Sequence, residues 1–206
     1  MNRPRLIAPI TLFFSVVMFC VTTTPAQNEP KSQFGPSYET VLHVILGSGD
    51  ASPGSVLPQS LSGVTKQISA NFAFSNPRLI NTYFGRVGNA GNLDYKSIFS
   101  INGQEQESDS PSFLDLRLNG LRGGEDSGRN VVLISSFRFG ARVPLKIESL
   151  KDEGGKSRSI INYESIGLTL DKLSIPENIP TLVGTLSMPK TTGTVFLVLT
   201  VKSVDN

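Results

Sequence analysis

The last apolar run of the chain limits its possible folds more than any other feature. Residues 194–201 read TVFLVLTV, so a strand formed here carries apolar side chains on both faces. Both faces must then be covered, and we expect this run to be the central strand of a sheet. Two further apolar runs precede it, and turn residues at 176–180 and 189–193 separate the three runs. This spacing predicts consecutive antiparallel strands.

Residues 174–186, with the apolar strand after them, resemble the closing signature of bacterial secretins, the ring-forming outer-membrane channels of secretion and pilus machines. In that family a strand and a tight turn lead into an apolar run that ends in two glycines and an aliphatic residue. Thr185 stands where the second glycine would be, and Glu177-Asn178 replaces the usual Asp-Gly or Glu-Gly turn. The residues that fit the apolar run are Leu182, Val183, Gly184 and Leu186.

The resemblance covers about a fifth of the chain, and similar strand-turn-strand patterns occur as ordinary hairpins of unrelated sandwiches. A secretin subunit normally carries several further periplasmic domains and longer membrane-crossing hairpins. The resemblance therefore implies, at most, a fragment or an accessory of the secretin wall.

The first 26 residues have the parts of a secretory signal peptide. Arg3 and Arg5 form a short basic start, residues 10–21 are mostly apolar, and small residues at Thr24 and Ala26 suit cleavage after Ala26. The apolar core is about a dozen residues long, shorter than the roughly twenty of a membrane-spanning helix. We therefore predict an exported protein with no transmembrane helix in its mature chain.

Cleavage after Ala26 changes the charge balance. The full chain has 19 Lys and Arg against 17 Asp and Glu, and loss of Arg3 and Arg5 leaves 17 of each. A net charge of zero gives no electrostatic reason to expect nucleic acid as a partner. The only cysteine, Cys20, is lost as well, and one histidine remains. We therefore expect no disulfide, no Cys/His zinc site and no cofactor.

The rest of the chain predicts a flexible lead-in at residues 27–37 and a single β-rich domain at 38–206. A first strand at 38–46 is followed by a helix from Pro58 to Phe72, whose apolar residues recur at helical spacing. Two strand-like runs come next, joined by Gly88-Asn-Ala-Gly91, which suits a hairpin turn. We predict an α+β fold: mostly antiparallel sheet, with one long helix near the N-terminus in a β-α-β-β opening.

A long predicted strand at 131–147 carries the most distinctive charge pattern. Its apolar residues share one face, and the other face carries Arg138, Arg142 and Lys146. These cations are candidates for binding a partner or an anionic glycan. Alternatively, they pair across strands with acids such as Asp115 or face water, where an exposed pair contributes under about 1 kcal/mol.

Nothing in the chain favours catalysis. The one histidine, His43, lies within an apolar strand, where a packed core position is the simpler interpretation. Asp115 and Glu164 could form a carboxylate pair, but no pattern supports it. We predict a non-enzymatic, β-rich envelope assembly or interaction module, accessory to a secretion or pilus machine, in the periplasm or at the outer membrane. It would bind a protein partner or further copies of itself. The alternative is a monomeric periplasmic or secreted ligand-binding domain. It would bind its ligand through the cationic stripe, which we define as Arg138, Arg142 and Lys146, or through Tyr83 and Tyr95.

Overall fold

The structure is a computed structural model, and it divides the chain into two compact units, Met1–Lys31 and Ser32–Asn206. All described residues belong to the second unit, so the predicted signal peptide lies outside them. The described residues are 35–47, 57–72, 74, 77–99, 111–151, 157–188 and 193–204.

Within these described residues, eight strands form two four-stranded antiparallel sheets. The first sheet has the order β2-β1-β8-β7, with β1 at Ser37–Gly47, β2 at Arg78–Gly88, β7 at Thr181–Ser187 and β8 at Thr194–Val204. The second sheet has the order β3-β4-β5-β6, with β3 at Asn92–Phe99, β4 at Ser112–Asp126, β5 at Arg129–Lys151 and β6 at Ser157–Pro176. The prediction of a mostly antiparallel β-rich fold is confirmed.

The inner faces of the two sheets enclose the main core, and β8 lies at the centre of the first sheet. Its odd-numbered side chains, Val195 to Val201, are buried against the second sheet, while Phe196 and Val198 are buried on its other face. The strand is therefore covered on both sides, as its continuous apolar run predicts.

One helix covers the outer face of the first sheet. It comprises α1, Ser62–Asn71, and a single 3₁₀ turn before it, Gln59–Leu61. The helix follows the first strand within the residues expected from the sequence, but it is short and does not lie at the N-terminus, so the prediction of one long helix is wrong in length. Pro58 leads into the tighter 3₁₀ turn, and Phe72 is already extended, where its ring packs on Phe196. The helical spacing identified the packed side correctly, since Leu61, Val64 and Ile68 are buried.

Three neighbouring strands of the second sheet each contain an extra residue at the same height. Buried or partly buried residues follow one another at a spacing of three rather than two there: Leu118 and Leu121 in β4, Ile134 and Phe137 in β5, Leu170 and Leu173 in β6. The backbone φ is positive at Gly120 and Lys172 within this row. Because the three irregularities are aligned, the strands keep their register and the apolar side chains return to the core face.

Residues 88–91 join the two sheets instead of closing a hairpin, so the predicted pairing of β2 with β3 is wrong. The amide of Ala90 donates to the Leu121 carbonyl at 2.7 Å, and the Gly120 amide donates to the Gly91 carbonyl at 3.0 Å. These bonds tie the turn to β4. Residues 122–130 are mostly strand, although they are rich in glycine and charged residues, and their turn is only the two residues Ser127 and Gly128, both with positive φ.

Candidate functional site: the open face of the second sheet

The predicted cationic stripe lies on the outer face of the second sheet, which we call the open face. On β5, Arg138, Gly140 and Arg142 point outward, alternating with the buried Phe139 and Ala141. The described helix packs on the other sheet, so no described helix covers this face. The backbone of Lys146 pairs with Ile161 of β6, while its side chain lies outside the described part of the chain.

Two glycines face each other in the middle of the open face. Gly140 of β5 pairs with Gly167 of β6 on one side and with Asp115 of β4 on the other, and Asp115 pairs with Lys96 of β3. The row above includes Phe113, Arg142 and Ser165, and the row below includes Arg117, Arg138 and Thr169. Larger side chains therefore surround a patch of bare backbone.

This arrangement forms a concavity of about 830 Å³. Its floor contains Gly140 and Gly167, and its outward-pointing lining includes Lys96, Ile98, Phe113, Arg138, Arg142 and Thr169. The volume lies within the range of ligand pockets in proteins, roughly 300–1,000 Å³.

The two floor glycines differ in what they require. A Cβ added to Gly167 would lie 2.9 Å from the Phe139 carbonyl oxygen, a backbone atom that cannot easily move. A Cβ on Gly140 would meet only the Asp115 carbonyl oxygen, at 3.9 Å, and Gly140 has no positive φ. Close backbone packing therefore explains glycine at 167 but not at 140.

The guanidinium of Arg142 lies over two neighbouring aromatic rings. The Arg142 Cζ atom is 6.0 Å from the Phe113 ring centroid and 5.6 Å from that of Tyr163. The two rings are 6.0 Å apart at an interplanar angle of 45°. Phe113 is 40% exposed and its cross-strand neighbour Ile98 is 65% exposed. Exposed apolar and aromatic groups beside an arginine are typical of the central residues of protein interfaces.

Arg117 forms ion pairs with two acids of the open face, Asp94 and Asp115. Its Nε atom lies 3.2 Å from Asp115 Oδ1 and 3.4 Å from Asp94 Oδ2. The expectation that Asp115 pairs with the cationic stripe is therefore wrong, because Arg117 of the same strand is closer. Among the described residues, Arg138 and Lys96 form no ion pair. In the three rows around the glycines, four cations face two acids, a local net charge of +2: Lys96, Arg117, Arg138 and Arg142 against Asp94 and Asp115. The exposed Asp171 lies one row beyond, opposite Ser136.

His43 does not lie in the packed core as its apolar strand suggested. It points to the outer face of the first sheet and is partly exposed, and its Nδ1 atom is 2.9 Å from Thr82 Oγ1 in a hydrogen bond. Partial burial lowers the pKa of the imidazole below its ordinary value. The odd-numbered positions of β1 are covered by the helix at Ile45 but not at His43.

Tyr83 and Tyr95 pack into the core rather than standing on the surface. This corrects the prediction that they could bind a ligand. Tyr83 is buried, and its ring packs edge-on against that of Tyr95 at 5.1 Å. The amide of Asn81 donates a hydrogen bond to the Tyr83 hydroxyl at 3.0 Å. Burial, with a further contribution from Tyr95, raises the pKa of Tyr83 to about 12. The pair closes the core where β2 of one sheet approaches β3 of the other.

The secretin-like motif lies in β7, at one edge of the first sheet. A register shift falls between Leu182 and Gly184, so Leu182 packs with the helix while Val183 and Leu186 pack between the sheets. The turn at Glu177-Asn178, which precedes β7, is also explained by its own residues. Asn178 has φ 59° and its amide donates to the Val201 carbonyl at 2.7 Å. These residues thus act in packing and turn formation, away from the open face.

The structure does not bring Asp115 and Glu164 together. Asp115 is level with Gly167, whereas Glu164 pairs with Val143, further along β6 and on the alternate set of side chains. Within the described residues, no helix is long and apolar enough to cross a membrane.

No protein-family model matches the chain, and no curated protein matches it. Among solved structures, the chain is similar to the β-barrel of the InvG secretin domain from the NC base of the Salmonella SPI-1 injectisome. The two are 10% identical, the match covers 83% of this chain and 64% of that one, and the TM-score is 0.35. The chain thus spans less than two thirds of the InvG structure, and a likeness of this size carries no argument about family or function.

Proposed function

We propose that the protein is an exported, non-enzymatic interaction module of the cell envelope, which binds a protein partner through the open face. The observation that carries the proposal is the setting of Arg142, which lies over the rings of Phe113 and Tyr163 beside a concavity in the open face. Arginine and aromatic side chains are enriched among the residues that dominate binding at protein interfaces.

The chemistry of the open face suits binding better than catalysis. Asp115 is ion-paired with Arg117. The rest of its row is Lys96, Gly140 and Gly167, so this level of the sheet holds no second carboxylate for acid–base chemistry. His43 and Tyr83, whose pKa values are displaced, both belong to the first sheet, while perturbed groups in enzymes cluster in the reactive cleft.

The envelope location rests on the sequence. Residues 1–26 have the basic start, apolar stretch and small residues of a signal peptide. Residues 174–186 resemble the closing signature of secretins, which favours an accessory role beside a secretion or pilus machine, in the periplasm or at the outer membrane. The volume of the concavity favours one alternative, a monomeric periplasmic or secreted domain that binds a small ligand there.

Site-specific photo-crosslinking in the native cells tests the proposal. A photoreactive phenylalanine replaces Thr169, whose exposed side chain lies beside Arg138 on the open face. The matched control replaces Lys202, which is exposed on the outer face of the first sheet. We expect a discrete protein adduct from position 169 alone, in the envelope fraction, and its loss when Arg142→Ala is added.

Two results would contradict the proposal. Equal adducts from positions 169 and 202 would mean that the open face is not distinguished from another exposed sheet face. No adduct at 169, together with a soluble monomer that retains a small molecule in the concavity, would establish the alternative instead.

A further inference from the structure

We propose, on the basis of the proposed function, that the partner segment on the open face is an extended acidic peptide. Its carboxylates occupy the first and fifth of five consecutive positions, and a large apolar side chain occupies the third. Three features of the open face determine this pattern: its unpaired cations, their spacing and the glycine floor between them.

The charge of the face selects an acidic partner. Arg138 and Lys96 form no ion pair with a described residue, and the two acids in the same three rows of the sheet, Asp94 and Asp115, are already paired with Arg117. An arginine bound to a carboxylate can form two parallel charge-assisted hydrogen bonds, which are stronger than neutral ones. An acidic segment would therefore supply the charge that this face lacks.

The spacing of the arginines matches an extended chain. Arg138 and Arg142 lie four residues apart on one face of a strand, which places their Cα atoms about 13 Å apart at roughly 3.3 Å per residue. A peptide lying along β5 has the same repeat, so its first and fifth side chains reach the two arginines from one side. Carboxylates at the first and third positions would fall short of the second arginine.

The floor between the arginines accepts the middle side chain. Gly140 lies midway between Arg138 and Arg142 and pairs with Gly167, so no side chain rises from either position. The exposed Ile98 and Phe113 border the same concavity. A large apolar residue at the third position of the peptide would fill this space and bury part of both side chains.

The aromatic setting of Arg142 restricts its motion before the partner arrives. Its guanidinium lies over the rings of Phe113 and Tyr163 in the free protein. An arginine that is already positioned loses less conformational entropy on binding than a free one. Arg142 is therefore the pre-positioned cation of the site, and Arg138 is the second cation that binds the peptide.

Fluorescence anisotropy with synthetic peptides tests the pattern on the protein purified from its native compartment. The probe is a fluorescein-labelled polythreonine peptide containing Glu-Thr-Leu-Thr-Glu. One control contains Glu-Glu-Thr-Leu-Thr, which has the same composition and charge, and a second replaces the leucine with glycine. We expect the probe to bind at least about tenfold more tightly than either control.

Variants of the protein test the same three features. Arg138→Ala and Gly140→Leu should each weaken the probe about tenfold, the first by removing a cation and the second by filling the floor. The backbone at position 140 can accept a larger residue without a clash, since an added Cβ meets nothing closer than 3.9 Å. Arg122→Ala, at an exposed arginine near the far end of β4, is the control and should leave binding unchanged.

The outcomes separate the inference from the proposed function. If the probe and the same-composition control bind equally, the face attracts negative charge regardless of where the carboxylates lie along the peptide. That result would overturn the inference. Preference for heparin over every peptide would do so as well, by assigning the face to an anionic glycan. Failure of all peptides to bind, with the position 169 adduct still present, would refute the acidic pattern and leave the interaction module standing.

Discussion

Replacing Phe196 with alanine should cost the protein a large part of its stability, because this ring holds the helix on the first sheet. Phe196 is fully buried and meets Phe72 edge-on at 4.9 Å and Phe74 at 5.9 Å. Truncating a buried phenylalanine typically costs about 3–5 kcal/mol, against a total of about 5–15 kcal/mol for a domain. At a urea dependence of about 2 kcal/mol per molar, a loss of about 4 kcal/mol lowers the unfolding midpoint by about 2 M.

The matched control is Phe84→Ala. Phe84 is on the same face of the same sheet, opposite Val41, but is 62% exposed. Its loss should change the free energy of unfolding by no more than about 0.5 kcal/mol. Urea titrations followed by circular dichroism give both values. If Phe196→Ala costs less than about 1 kcal/mol, or no more than Phe84→Ala, the helix is not anchored at Phe196.

Three further perturbations test other parts of the fold. Gly167→Ala should destabilise by about 1–3 kcal/mol in urea titrations, because the new Cβ meets the Phe139 carbonyl at 2.9 Å; a neutral change would contradict that close approach. His43 has a folded-state pKa below its ordinary value of 6.5, so wild type should lose stability as the pH falls below that value, and His43→Gln should not. Unfolding curves between about pH 8 and pH 5 measure this, and parallel curves for the two proteins would refute it. Tyr83 has a folded-state pKa of about 12, against its ordinary value of 10.0. Its contribution to the free energy of unfolding is therefore complete below pH 10.0 and is lost as the pH rises toward 12. Tyr83→Phe should reduce this alkaline loss of stability, and an unchanged pH dependence would exclude Tyr83 as its source.

Strand positions could be predicted wherever the side chains alternate without interruption. The apolar run that became β8 specified its own central place, because an apolar strand is stable only when both faces are covered. Arg138 and Arg142 were placed correctly on one outward face for the same reason: no irregularity lies between them. Periodicity is local information, and here local information was sufficient.

The aligned irregularities in the second sheet carried a sequence signal that a strand-by-strand interpretation does not use. Leu118-Asn-Gly-Leu121, Ile134-Ser-Ser-Phe137 and Leu170-Asp-Lys-Leu173 share one pattern, two polar residues between apolar ones. In a single strand this pattern is easily taken for a break or a turn. Three such interruptions in paired strands instead indicate aligned irregularities, across which long strands continue with the same partners and register.

Pairing could not be predicted from turn chemistry alone. Gly88 to Gly91 has the composition of a hairpin turn, and the Gly91 amide does donate to the Gly88 carbonyl at 2.9 Å. The decisive bonds are those that Ala90 and Gly120 form across to the other segment, about thirty residues away in sequence, a separation at which partner choice depends on tertiary packing. The partners of Arg142 were missed for the same reason, since Phe113 and Tyr163 reach it only through strand register.

Gly140 is where local preference and structure disagree without a packing reason, and this disagreement yields the sharpest prediction. Glycine within a strand costs about 0.5–1 kcal/mol relative to alanine, and here neither φ nor a steric contact requires it. What the glycine does provide is the floor of the concavity, and sequences depart from local rules mainly at functional sites. Gly140→Ala should therefore raise the urea midpoint while weakening the acidic peptide probe, two effects of opposite sign from one methyl group. Raised stability with unchanged binding would separate the glycine from the site, and lowered stability would show that the backbone at 140 needs glycine after all.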